Sequence, residues 1–368
     1  MIPVSEPLLD KVALSNVAEA MSTGWISSGG RYIEQFEQSW AAYCGANYGV
    51  AVSNGTTALK VAVAALDLEP GSEIIVPTYT IISCVNAILE AGCKPVLIDS
   101  DADTWNLTVS QIEPQITERT RAIMVVHMFG HPVDMDPLMD IARRHKLFVI
   151  EDAAESHGAE YKGRRVGAIG DIGCFSFYAN KIITTGEGGM VIMKDQGLAE
   201  RSRSLRNLAF RSDRRFLHTE IGYNFRLTNL QAAVGVAQVG QIDRHIEIKR
   251  RNAKAYIERL RDIDAIRLPV ECPWAKNVYW MFGIVLDDKV KFDATEGIRK
   301  MAARGVETRP FFWPMHEQPV FHRMGLFENQ HFPVAERIAR RGFYLPSGLT
   351  LTEEQIDLTC DALRDCLN

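Results

Sequence analysis

Lys181 is the residue whose setting most favours chemistry. It closes the apolar, aromatic run Cys174, Phe175, Ser176, Phe177, Tyr178, which has strand character, and small, polar and glycine-rich turns follow as far as Gly189. A second strand-like run occupies residues 190–193. One ammonium therefore stands where a strand gives way to a loop, a place where folds keep chemistry rather than packing. A lysine partly withdrawn from water loses its proton cheaply, and its amine can then form a Schiff base with an aldehyde. By itself a loop lysine is usually a solvated turn residue. Polar groups at the strand ends upstream reverse that reading here.

Asp152 ends a strand in the stretch Glu151, Asp152, Ala153, Ala154, Glu155. Such a carboxylate either caps the next turn or pairs with the ring nitrogen of pyridoxal phosphate (PLP), whose protonated ring takes up the electrons of a carbanion. Residues 53–59, Ser-Asn-Gly-Thr-Thr-Ala-Leu, join a strand to a helix N-terminus. Free backbone N–H groups and the helix dipole favour an anion there, and Gly55 permits close approach. An ordinary N-cap by Ser53 or Asn54 explains that motif as well. Ser176 either adds a hydroxyl to the same phosphate or is a plain strand serine. Each part is weak alone, but phosphate loop, aspartate, serine and lysine in that order form a specific combination.

The elements that must position these groups alternate along the chain. Strands are expected at residues 48–53, 73–77, 95–99, 122–127 and 147–152, with helices at 56–66, up to 90, and at 137–145. Near-continuous apolar strands separated by helices mean a largely parallel sheet covered on both faces. Ligands of such sheets bind outside the carboxyl ends of the strands. One long helical pattern runs from about 227 to about 262, and its charged second part interleaves acids with bases. That is a solvated connecting helix rather than a nucleic-acid patch. Isolated strands at 280–286 and 307–312 between helices suggest a smaller α+β domain. The expected division is 1–240 for a large PLP-binding domain and 241–368 for the smaller one. No flexible linker separates the two, so they should pack closely.

The 368-residue chain is 46% hydrophobic and 24% charged, with a formal charge of −5, an ordinary globular composition. That charge leaves no basic footprint for nucleic acid or an anionic membrane. No apolar run approaches the roughly 20 residues of a membrane span, and the first residues do not read as a signal peptide. Seven scattered cysteines without a CxxC pair indicate neither a disulfide framework nor a zinc or other metal site. Reduced thiols in a cytoplasmic protein are expected.

At these residues the chain resembles the sugar aminotransferases of the DegT/DnrJ/EryC1/StrS family. The resemblance extends over nearly the whole length and includes residues 53–59, 76–78, 151–155, 174–190, 222–229 and 307–310. It implies an α/β fold of the aspartate aminotransferase type (fold type I of PLP enzymes), with a mostly parallel sheet in the large domain and a smaller C-terminal α+β domain. It also implies PLP as cofactor, with Lys181 as the Schiff-base lysine and Asp152 as partner of the pyridine nitrogen. Glu155 would lie near the ring hydroxyl, Ala154 beneath the ring, and Gly55, Thr56 and Ser176 at the phosphate. Asn224 would reach the phosphate of a neighbouring subunit, which implies a homodimer with shared sites. Trp25, Ser27, Arg309 and His316 would contact the sugar nucleotide; core packing, a turn and a surface ion pair are the plain alternatives for the first three.

Residues 25–33, 180–190 and 309–316 are similar to the branch that acts on GDP-4-keto-6-deoxymannose to make GDP-perosamine, with L-glutamate as the implied amino donor. UDP- and dTDP-linked keto sugars are the alternatives. A PLP-dependent sugar dehydratase of the same fold would carry histidine in place of Lys181, and a non-catalytic homologue would have little use for Lys181, Asp152 and Ser176 together. One departure stands out. Many relatives place a ring-stacking aromatic after the threonine of Val-Pro-x-x-Thr, where this chain has Ile81, with Tyr79 two residues earlier.

Overall fold

The computed structural model describes residues 1–211 and 213–367. All five strands expected in the first half form, each within two residues of its expected bounds: β1 (Tyr48–Val52), β2 (Glu73–Pro77), β3 (Lys94–Ile98), β4 (Thr120–Val126) and β5 (Phe148–Asp152). A short hairpin follows, β6 (Glu160–Tyr161) and β7 (Arg164–Arg165), and then β8 (Ile172–Ser176) and β9 (Gly189–Met193) on either side of Lys181. Seven of these form one sheet in the order β1-β9-β8-β5-β4-β2-β3. The pairings from β8 to β3 are parallel, and β9 alone runs against the rest, antiparallel to both β1 and β8. β4, β5, β8 and β9 are buried almost throughout, as near-continuous apolar strands must be when helices cover both faces.

Two N-terminal helices that the apolar pattern did not single out, Lys11–Thr23 and Arg31–Cys44, lie against the helix Asn229–Val239. Phe36 and Trp40 are fully buried there. The helix expected at about 227–262 is two helices, Asn229–Val239 and Ile242–Leu260. The first opens with a Thr228–Gln231 capping box and stops at Gly240, a poor helix former, where Gln241 N–H turns back to the carbonyl of Gln238.

The C-terminal part carries β10 (Ile266–Arg267), β11 (Ala275–Lys276), β12 (Phe282–Leu286), β13 (Arg309–Pro310) and β14 (Gly342–Leu345). Four of them form a sheet in the order β10-β12-β14-β13. The strand expected at 307–312 is reduced to β13 at the edge, where Pro310, which has no N–H to donate, is tolerated. β11 pairs instead with β6 of the first half. The helix Ile242–Leu260 serves two cores: Ile242 and Ile246 belong to that of the large sheet, Ala253, Tyr256 and Leu260 to that of the smaller one. The N-terminal tail lies on the C-terminal part, with Ile2 bridged to Val306 and Val4 accepting from Ser347 N–H at 2.8 Å. Among the described residues no helix is long and apolar enough to cross a membrane, and all seven cysteines are free thiols.

Candidate active site

The carboxyl ends of β1, β4, β5 and β8 open onto one cleft of about 470 Å³. At its floor is Asp152, the last residue of β5 and 2% exposed. Its Oδ1 accepts from the Ala154 N–H at 3.1 Å and its Oδ2 from the Cys84 thiol at 3.2 Å. Burial raises its pKa above the ordinary carboxylate range, with the Ala154 and Cys84 bonds and the charge of Lys181 opposing. Glu155, one turn on, accepts from Phe129 N–H at 2.8 Å, and burial lifts it to about 7. Lys181 is half-buried between these acids and the indole of Trp280, whose ring centre lies 3.7 Å from Nζ. Burial lowers the lysine pKa, while Glu155 and Asp152 oppose that fall. The cleft thus holds a lysine whose pKa burial lowers beside two carboxyls whose pKa burial raises, a pattern typical of functional sites.

An anion cradle adjoins this cluster. Asn54 caps the helix Gly55–Ala65 by accepting from Thr57 N–H at 2.9 Å. The first N–H groups of a helix have no intrahelical acceptor, so those of Gly55 and Thr56 are left to the cleft that both residues line. A Cβ on Gly55 would stand 2.7 Å from Cβ of Ser176, so only glycine lets loop and strand approach this closely. Thr56 Oγ1 lies 2.8 Å from the Ser83 hydroxyl at the start of the helix Ile82–Glu90.

Seven residues singled out in the sequence therefore meet in one cleft: Gly55, Thr56, Asp152, Ala154, Glu155, Ser176 and Lys181. Five lie elsewhere in the single chain. Asn224 is exposed, bridged to Asn207. Trp25, 62% exposed, and Ser27 lie on an N-terminal segment whose carbonyls accept from Asn229, and Trp25 lines a separate surface cleft. Arg309 is exposed and ion-paired with Glu307, on the strand residue opposite Tyr344, which does line the cleft. His316 is buried, with Nδ1 2.7 Å from Thr78 Oγ1 and Nε2 3.1 Å from Glu336. Of the two residues around the Val-Pro-x-x-Thr stretch, Ile81 lines the cleft, whereas Tyr79 is fully buried against Phe129, Phe311 and Phe312.

Residues 7–364 match the DegT/DnrJ/EryC1/StrS aminotransferase family. The GDP-perosamine synthase of Caulobacter vibrioides is 41% identical over 367 residues, covering 100% of this chain and 98% of its own. That of Escherichia coli O157:H7 is also 41% identical, over 99% of this chain and 98% of its own. Among solved structures, the aminotransferase of Psychrobacter cryohalolentis superposes with a TM-score of 0.93 at 30% identity, over 99% of this chain and 98% of its own. The chain belongs to the DegT/DnrJ/EryC1/StrS aminotransferase family.

Membership makes the protein a PLP-dependent transaminase with the α/β fold of that group. The cleft fits the cofactor on its own terms: an anion cradle too tight for any side chain at position 55, a buried carboxylate with acceptor capacity left, and a lysine with lowered pKa. Sequence reasoning missed Trp280, Tyr344, Phe312 and Cys84. Trp280 is the most telling of these. Its N–H donates to the Asn180 carbonyl at 2.8 Å, and its own carbonyl accepts from buried Lys249 at 2.6 Å. A tryptophan about a hundred residues downstream of the lysine carries no local signal, because only the packing of the C-terminal part on the large sheet brings it over.

Proposed function

We propose that this transaminase moves an amino group from L-glutamate to C4 of GDP-4-keto-6-deoxymannose, giving GDP-perosamine. The single observation behind the substrate is full-length similarity to GDP-perosamine synthases from three organisms, at 34–41% identity. The chemistry rests on the cluster of Lys181, Asp152 and Glu155.

When bound, PLP supplies an aldehyde and a ring that takes up the electrons of a substrate carbanion. Lys181 supplies the amine and afterwards the proton shuttle, base first and acid second, for which a lowered pKa suits it. Asp152 would accept from the ring nitrogen and Glu155 would lie beside the ring hydroxyl. Ala154 would lie under the ring, and Ile81 also lines the cleft. Gly55 and Thr56 offer backbone N–H groups, and Ser176 a hydroxyl, to the phosphate. Trp25, Ser27, Arg309 and His316 are assigned to the sugar nucleotide or its support.

The substrate reading is tested by competing GDP-, UDP- and dTDP-linked 4-keto-6-deoxy sugars and comparing kcat/KM. A site built to bond particular polar groups discriminates strongly, because mismatches leave its own groups unpaired. Preference for a UDP- or dTDP-linked sugar would overturn the substrate and leave the transaminase intact. Exposed Asn224 is assigned to the site of a second copy in a homodimer. Lys181→Ala chains should be inactive alone, yet regain activity when mixed with Asn224→Ala chains, since one site of the mixed dimer is whole. No recovery despite subunit exchange would refute the shared site.

A further inference from the structure

The Asp152 carboxylate is gripped from both sides. Ala154 N–H holds Oδ1, and the thiol of Cys84 donates to Oδ2 at 3.2 Å from 68 residues away in sequence. Both side chains are buried, Cys84 at 0% and Asp152 at 2% exposed. Cys84 lies in the helix Ile82–Glu90, whose Ser83 lines the cleft, so the helix ties the carboxylate to the cradle side of the site. Thr80 Oγ1 lies 3.3 Å from the same sulfur and can donate to it while the S–H donates onward. Burial pushes the thiol well above its ordinary range, so it keeps its proton and stays a donor. The other titratable groups acting on Asp152 are Lys181, His127, Glu155 and Cys174. Among the described residues, Cys84 is the one side chain that bonds a carboxylate oxygen of Asp152.

We infer that Cys84 is a positioning residue for the reaction, its thiol fixing the orientation of Asp152 and supplying the second donor that keeps this buried carboxylate an acceptor for the cofactor's ring nitrogen. The inference rests on the role proposed above for Asp152. A carboxylate that loses a donor becomes more basic, so it must be brought to higher pH before it ionises.

The experiment titrates the cofactor-free protein with PLP and with pyridoxamine phosphate across pH. Cys84→Ala is expected to move the acid limb of affinity upward by about half a pH unit, the size of one modest hydrogen bond. Cys84→Ser, which restores a donor, should bring the limb back. Weaker binding at every pH with an unmoved limb would mean that Cys84 only fills space, and would overturn the inference. Infrared spectra of the cofactor-free protein provide a readout free of binding. The Cys84 S–H band, isolated by subtracting the Cys84→Ser spectrum, should shift when Asp152→Asn replaces a charged acceptor by a neutral one. A band indifferent to that change also overturns the inference. If Asp152→Asn binds both cofactor forms as tightly as the parent, the role of Asp152 fails and this inference with it. If Asp152→Asn weakens binding but the Cys84 limbs coincide, this inference alone fails.

Discussion

Glu151 and Asp152 are neighbours on one strand, both buried, and they lead opposite lives. Side chains alternate along β5, so the two carboxylates leave it on opposite faces. Glu151 points into the fold and is saturated: it accepts from Gly167, Ile169 and Gly170 N–H at 2.6–2.7 Å, with His127 Nε2 at 3.0 Å. Its pKa is lowered even though burial, the largest influence on it, acts to raise it; the His127 and backbone bonds prevail. Asp152 has two donors, one of them a thiol, and its pKa rises. A carboxylate with every lone pair answered is architecture. One with acceptor capacity left, facing a cleft, is available for chemistry.

The contrast can be broken by experiment. Its largest expected effect is in catalysis. Asp152→Asn, which keeps shape but removes the charge, should lower kcat for amino transfer by about three powers of ten or more, on the scale of removing a central catalytic group, with little change in melting temperature. A variant with near-parental kcat would place Asp152 with Glu151 as architecture. Glu151→Gln should do the reverse. Its amide NH₂ cannot accept from the loop N–H groups, and buried donors left unpaired cost about 1–3 kcal/mol, more near a charge. Denaturant unfolding should show a loss of about 3 kcal/mol, while whatever folds should bind PLP with parental affinity. Lost affinity without lost stability would contradict the division.

A smaller and sharper test uses pH. Glu155 is raised from 4.5 to about 7, so as pH climbs the unfolded chain gives up its proton first. Its contribution to the stability of the cofactor-free protein is whole below about 4.5 and is lost as pH rises through about 7. Glu151 is held below 4.5, so its contribution is whole above that pH and is lost as pH falls beneath it. Glu155→Gln should therefore flatten the decline between pH 4.5 and 7, and Glu151→Gln the decline on the acid side. Melting temperatures of the two variants that vary with pH as the parent does would show that neighbouring acids do not divide the pH axis in this way.

The sequence by itself determined the parallel sheet, the strand that ends in Asp152, the capped loop at residues 53–59 and the turn that carries Lys181. Those features are local: apolar runs, caps and glycines act within a few residues, and all sheet strands through β5 formed close to where they were expected. Motif order singled out Gly55, Asp152, Ser176 and Lys181, the family resemblance added Thr56, Ala154 and Glu155, and all seven line one cleft. Tertiary structure decided the rest. It broke the long helix at Gly240, buried Tyr79 while leaving Ile81 at the cleft, and left Asn224, Trp25 and Ser27 on the surface of the single chain. It also set Trp280 against Lys181 and Cys84 against Asp152, pairs separated by tens of residues. No periodicity or propensity encodes such contacts, because they exist only once helices and the C-terminal part have docked and burial has chosen which side chains share the space that water leaves.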